Sequence, residues 1–143
     1  VTGFQEHGAI GNAVTAAIQA AKERGWAMAL GPVDPEFARN TGGVGIQTKA
    51  PLMPLPHKAC TKAFEDAVAT GRVSIYDLDI QGIILTIAVL YGWTGGIKGS
   101  IACQRTDDLM AVTRAELDAC PSGPKLLMGD VNGDLVDFVT VCD

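Results

Sequence analysis

The 143 residues suffice for one domain with its own core, and a 48% hydrophobic, 19% charged composition argues against a disordered chain. A formal net charge of −5 argues against broad, charge-driven adhesion to nucleic acid, which needs basic surface to displace counterions. It leaves room for an acidic site that recruits a cation. The longest apolar stretch, Ile83 to Trp93, is about half of the roughly 20 residues a membrane span needs, so no span is expected. Cys60, Cys103, Cys120 and Cys142 form no C-x-x-C pair and have no His at zinc-finger spacing. They read as free, mostly buried thiols of a reducing compartment, not as a structural zinc site. No signal peptide is read at Val1, which looks like the inside of a strand.

In chain order, Val1 to Gln5 reads as the end of a strand. Asn12 is placed to cap an alanine-rich helix that runs to Arg24 and stops at Gly25. Trp26 to Leu30 is a short strand ended by Gly31-Pro32, and Val33 to Thr41 is a polar loop. Gly42 to Gln47 is a strand whose glycines permit close backbone approach. Pro51, Pro54 and Pro56 forbid regular structure from Ala50 to His57, and Lys58 to Ala69 carries a helical turn or two. Arg72 to Ile80 and Ile83 to Leu90 flank Gln81-Gly82 as the arms of a hairpin. Tyr91 to Gly96 is a glycine-rich loop. Thr106 is placed to cap a second helix, with Asp107 and Asp108 in its first turn and Leu109, Val112, Ala115 and Leu117 on its apolar face. Lys125 to Met128 is a last strand. Strands and helices alternate around an antiparallel hairpin, so the fold class is α/β (α+β): a partial αββα sandwich of mixed sheets with flanking helices, a single domain over residues 1–143.

The most informative segment is Leu126-Leu127-Met128-Gly129-Asp130-Val131-Asn132. On an extended backbone, residues two apart share a face, so Asp130 and Asn132 project together from a strand end. A carboxylate beside a carboxamide suits a hydrated cation, a phosphate, or both. Two other readings stand beside this one. Both residue types make Asx turns with their own backbone. Asp130 to Asp134, with Asp137, also resembles a calcium loop of the D-x-N-x-D-G type, but Leu135 stands where the turn glycine is needed and Val141 where a bidentate Glu is needed.

Four strand ends line up in order: Gln5-Glu6, Gly42-Gly43-Val44-Gly45-Ile46, Val89-Leu90-Tyr91-Gly92, and Gly129-Asp130-Val131-Asn132. With this order and spacing the chain resembles the endonuclease/exonuclease/phosphatase superfamily, and within it the retrotransposon-type and apurinic endonucleases. The family's Q-E, G-G-V-A-I, v-Y-x-P and G-D-F-N strand ends are matched with substitutions: Gly45 for alanine, no proline after Tyr91, and Val131 for the aromatic. The resemblance implies a metal-dependent phosphodiesterase or nuclease. Glu6 would ligate Mg²⁺ or Mn²⁺, Asp130 would position or deprotonate the attacking water, Asn132 would hold a phosphate oxygen, and Tyr91 would donate to the phosphate. The partner it implies is nucleic acid or another phosphoester substrate. The family's earlier Asn-bearing strand and its closing S-D-H segment have no counterpart here, so the resemblance implies a domain truncated at both ends, and activity of these residues alone is not expected. Each residue also has a plain structural reading: Glu6 as a solvated carboxylate, Tyr91 as a sheet-end aromatic, His7 as a surface histidine, His57 and Cys60 as neighbours without chemistry, Trp26 and Trp93 as packing. The competing functional reading is a non-enzymatic structural or interaction subunit, whose exposed strand edges a protein partner covers.

Overall fold

Gln81 and Gly82 both take positive φ, 56° and 87°. A two-residue loop of that kind has a twist that matches the strands it joins. The flanking runs therefore fold back as the expected hairpin, β5 (Val73–Ile80) and β6 (Ile83–Tyr91), with Ile80 opposite Ile83 and Val73 opposite Leu90. The computed structural model describes residues 1–34, 42–121 and 123–142, and these build two sheets around that hairpin. One has the order β4-β5-β6-β7. Here β4 (Leu55–Pro56) runs antiparallel to β5, and β7 (Lys125–Asp130) runs parallel to β6. The other is antiparallel, in the order β1-β3-β2, from β1 (Thr2–Gln5), β2 (Trp26–Leu30) and β3 (Val44–Lys49).

A parallel pair needs a crossover connection, and the helix α3 (Ile101–Ala119) supplies it between β6 and β7. The helix α1 (Asn12–Glu23) packs on β2, and α2 (Lys62–Ala69) packs on α3 and β5. A 3₁₀ turn at Leu135–Asp137 and a short α4 (Val139–Cys142) follow β7. The layers run α1, three-stranded sheet, four-stranded sheet, α2 with α3, which is the expected α/β sandwich. No helix among the described residues is long and apolar enough to cross a membrane.

Both faces of the hairpin are covered over its half away from the turn, where its sequence is mostly apolar, while Ile80, Ile83 and Ile84 near the turn are exposed. Tyr76, Leu78, Ile87, Val89 and Tyr91 meet Val44 and Ile46 of β3 between the sheets. The alternate residues Val73, Ile75, Ala88 and Leu90 meet Phe64 of α2 and Cys103, Leu109, Met110 and Leu117 of α3. The period of two along each strand sorts the side chains into these two layers.

Several boundaries differ from expectation. The N-cap of α3 is Ser100, whose hydroxyl accepts from the Cys103 N–H, not Thr106. Thr106 lies inside the helix, where its hydroxyl donates to the Ala102 carbonyl and accepts from the Trp93 N–H. The buried face of α3 is more polar than expected: it includes Thr106, Thr113 and Glu116, while Ala115 is exposed. α1 has no side-chain cap; Gly11, at φ 51°, precedes it, and Asn12 is its first residue. Its alanines face mostly solvent, with only Ala21 buried. Leu55 and Pro56 form a short edge strand where prolines were expected to prevent one, because an edge strand tolerates a missing N–H donor. β3 starts at Val44, since Gly42 and Gly43 both take positive φ. The expected loop at 33–41 lies outside the described residues after Asp34.

Candidate functional site

β1, β6 and β7 end on one rim of the sandwich. Gln5 is paired with Val44 and Tyr91 with Asp130, and β1 lies across β6 and β7 so closely that a Cβ on Gly3 would meet Met128 and Val89 side chains. Gly129 is what allows β7 to close on β6: a Cβ there would collide with the Leu90 carbonyl oxygen. One residue on, Asp130 arrives beside Tyr91. Gly92 makes a second close approach, with its N–H on the Asp130 carbonyl at 2.7 Å and no room for a Cβ against the Val131 carbonyl.

β7 stops at Asp130, so the extended geometry expected through Asn132 is not observed. Asn132 takes φ 53°, and its N–H donates to Asp130 Oδ1 at 2.8 Å. That is an Asx turn, the alternative the residue types allowed. The turn swings the Asn132 carboxamide inward, where Nδ2 donates to the Gly92 carbonyl at 2.9 Å.

Tyr91 is buried, and the side chains of Glu6, Thr94 and Asn132 lie close enough to bear on its hydroxyl. Burial pushes its pKa up, and the hydrogen bond to the Glu6 carboxylate pushes the same way; bonds from Thr94 and Asn132 oppose this without overcoming it. At neutral pH the phenol is therefore a protonated donor. Glu6 follows β1 directly and is exposed, with φ 56°. The Asp130 carboxylate is exposed as well. The four residues singled out in the sequence thus share one rim: Glu6 and Asn132 near the Tyr91 hydroxyl, Asp130 bound to Asn132 and in register with Tyr91.

Arg72 was read only as the first residue of a strand, yet it underlies the site. Its guanidinium lies 4.9 Å from the Tyr91 ring centroid and 5.1 Å from that of Trp93. Nε donates to Asp34 Oδ2 at 2.9 Å, and Nη1 donates to the Gly92 carbonyl at 3.1 Å. The charge is buried, paired and stacked, so it braces Tyr91 from beneath. Its one local signal is a lone cation opening a strand that carries no other basic residue. Trp93 is packing, as the plain reading had it, but packing against Arg72 and Arg105.

His7 is half-buried, not a surface residue. Its Nδ1 accepts from the Ala9 N–H, which leaves Nε2 to donate to the Gly31 carbonyl at 3.1 Å. Burial lowers its pKa against the bonds to Gly31 and Val44. With both nitrogens engaged it braces a loop. The calcium-loop alternative is not supported: among the described residues, the one group of three or more potential ligands within 4.8 Å of one another is His57, Cys60 and Glu116, not Asp130, Asp134 and Asp137. Asp137 instead lies 3.9 Å from Lys98 Nζ, at the end of the 3₁₀ turn.

Carboxylate, carboxamide and phenol oxygens are hard donors, and Glu6 and Asp130 fit a hard divalent cation such as Mg²⁺ or Mn²⁺. The protonated Tyr91 hydroxyl and the Asn132 amide are donors of the kind that bind phosphate oxygens.

Fold and rim together define an α+β sandwich with a polar, acidic strand-end site. No protein-family model matches the chain, and none of the curated proteins matches it. Among solved structures it is similar to a 3′–5′ exonuclease (NExo) from Neisseria meningitidis, with a TM-score of 0.62 and 20% sequence identity over 91% of this chain and 46% of that one. The chain thus spans slightly less than half the length of that neighbour. At this identity the likeness is one of fold alone.

Proposed function

We propose that residues 1–143 form a single domain of the endonuclease/exonuclease/phosphatase type, acting in metal-dependent hydrolysis of phosphodiester bonds, with nucleic acid or another phosphoester as substrate. One observation carries this reading: Tyr91, Asp130 and the Asn132 turn meet at converging strand ends, with Tyr91 and Asp130 in register and Asn132 bound to both Asp130 and Gly92, and Glu6 near enough to raise the Tyr91 pKa. Glu6 would hold Mg²⁺ or Mn²⁺, which would supply charge neutralisation at the phosphate. Asp130 orients and deprotonates the attacking water, Asn132 holds a phosphate oxygen through its amide, and Tyr91 donates a hydrogen bond from its hydroxyl to another. Arg72 is a positioning residue, because it reaches the reaction only through Tyr91. The test is Mg²⁺-dependent cleavage of DNA and of simple phosphoesters, by protein produced with whatever sequence flanks residues 1–143 in its gene. Asp130→Ala is expected to abolish cleavage while leaving the fold intact by circular dichroism. Wild-type protein that cuts no phosphodiester or phosphomonoester overturns the reading.

A second reading, a non-enzymatic interaction subunit, is favoured by β7. Among the described residues this strand has no neighbour on its outer edge, and Leu126 and Leu127 are 42% and 47% exposed on its two faces. A long apolar edge of this kind is a template for pairing with another chain.

A further inference from the structure

A second polar cluster lies at the other end of the four-stranded sheet. Asp77, one of its members, is paired with Thr86, five positions before Tyr91 along β6 and so about 16 Å away at roughly 3.3 Å per residue. Two short segments meet there. His57 directly follows β4 and is fixed to β5 by its N–H on the Ile75 carbonyl; Cys60 directly precedes Thr61, the N-cap of α2. Glu116 and Cys120 lie one turn apart at the end of α3.

Second-sphere contacts hold each group. His57 Nδ1 is 3.1 Å from Asp77 Oδ2, and Asp77 Oδ1 accepts from the Thr86 hydroxyl at 2.8 Å. That arrangement puts a proton on Nδ1 and turns the Nε2 lone pair toward Glu116 Oε1 at 3.3 Å and Cys120 Sγ at 3.6 Å. Glu116 is fully buried and accepts from the Cys60 and Thr61 N–H groups and the Thr61 hydroxyl. The ligand atoms of His57, Cys60 and Glu116 all lie within 4.8 Å of one another.

These separations have a specific meaning. Zinc binds sulfur at about 2.3 Å and imidazole nitrogen or carboxylate oxygen at about 2.0–2.1 Å, in a tetrahedron. Those lengths at a tetrahedral angle put nitrogen and sulfur about 3.6 Å apart, and nitrogen and oxygen about 3.3 Å apart. The distances from Nε2 to Cys120 and to Glu116 have those values. A neutral imidazole with its proton on Nδ1 would set two acceptors face to face at Nε2 and Oε1, so something positive belongs between them. The choice is a proton or a metal ion, and the Cys120 sulfur beside that nitrogen, with the Cys60 sulfur within 4.8 Å of the imidazole and carboxylate ligand atoms, favours a thiophilic metal.

We infer that His57, Cys60 and Glu116 form a site for zinc or a similar thiophilic divalent ion, with Cys120 as a further sulfur beside the histidine nitrogen and Asp77 as the carboxylate that orients the histidine. The site ties β4, the start of α2 and the end of α3 together. It does not depend on the hydrolytic reading of the rim. The exposed Cys60 gives the ion a way in.

The test uses the whole chain, stripped with chelator and then titrated with Zn²⁺ and with Co²⁺. One equivalent of zinc is expected to survive gel filtration and raise the melting temperature. The cobalt form is expected to show tetrahedral ligand-field and thiolate-to-metal charge-transfer absorption. Cys60→Ser, at an exposed position that leaves packing untouched, is expected to lower affinity at least tenfold and weaken the charge-transfer band. Asp77→Asn is expected to lower affinity by about 10–100-fold. Cys103→Ser, with its sulfur in the core far along α3, is expected to change neither. A natively folded chain that takes up no stoichiometric zinc, or a cobalt charge-transfer band of undiminished intensity in Cys60→Ser, overturns the inference; the first outcome also identifies the group between Nε2 and Glu116 as a proton.

Discussion

Tyr76 and Tyr91 sit on the same face of one sheet, yet burial has different consequences for the two hydroxyls. Tyr91 reaches the rim and bonds polar side chains; Tyr76 is enclosed, and its hydroxyl donates to the Val44 carbonyl at 3.4 Å. Burial raises the Tyr76 pKa, outweighing hydrogen bonds from Ser74 and Gly31 that lower it. The unfolded chain ionises its tyrosines near pH 10, whereas folded Tyr76 still holds its proton there. Its contribution to stability is therefore complete below about pH 10 and is lost as pH rises through the higher folded value. Urea midpoints measured across the alkaline range are expected to fall less steeply in Tyr76→Phe than in wild type; equal slopes would remove Tyr76 as the cause. Residue types announced the rim in the same local way. Gly129 before Asp130 marks a backbone approach that no side chain permits, and the Asx turn follows from the chemistry of Asp130 and Asn132. Arg72 and His7 were not legible at this scale, because what defines each is a partner far along the chain: Asp34 and Gly92 for one, Gly31 for the other.

At the scale of elements, α2 is the informative case. Eight residues are too few for a helix stable by itself. It is held by Thr61, whose hydroxyl accepts from the Phe64 N–H and donates to Glu116, and by Phe64, which fills the layer between α3 and the hairpin. Phe64→Ala is expected to cost about 3–5 kcal/mol, read from the denaturant midpoint, because the enclosed ring leaves a cavity that only partly collapses. Loss of less than about 1 kcal/mol would mean that the layer closes over the gap. The hairpin was legible because its signal is doubly local: period-two apolar runs and a turn pair with positive φ. The start of α3 was not. Ser100 and Thr106 both carry a hydroxyl able to cap a helix, and the choice was made by Trp93, whose N–H takes the Thr106 oxygen from outside the helix.

For the molecule as a whole, the consequence lies in β7. As an edge strand with two exposed leucines, it is expected to drive concentration-dependent self-association, and Leu126→Lys is expected to shift sedimentation toward the monomer. A wild-type chain that stays monomeric and melts cooperatively at high concentration counts against the interaction-subunit reading. The sequence alone determined the sandwich class, the hairpin register and which four strand-end residues to watch, since alternation, turn chemistry and glycine placement act over a few residues. Tertiary structure alone decided what those residues meet. The crossover through α3 lays β7 beside β6 and sets Asp130 against Tyr91, and it carries Glu116 and Cys120 to His57 and Cys60, more than 50 positions away along the chain. No spacing rule spans such a distance, because those contacts exist only once the apolar faces of helix and sheet have closed on each other.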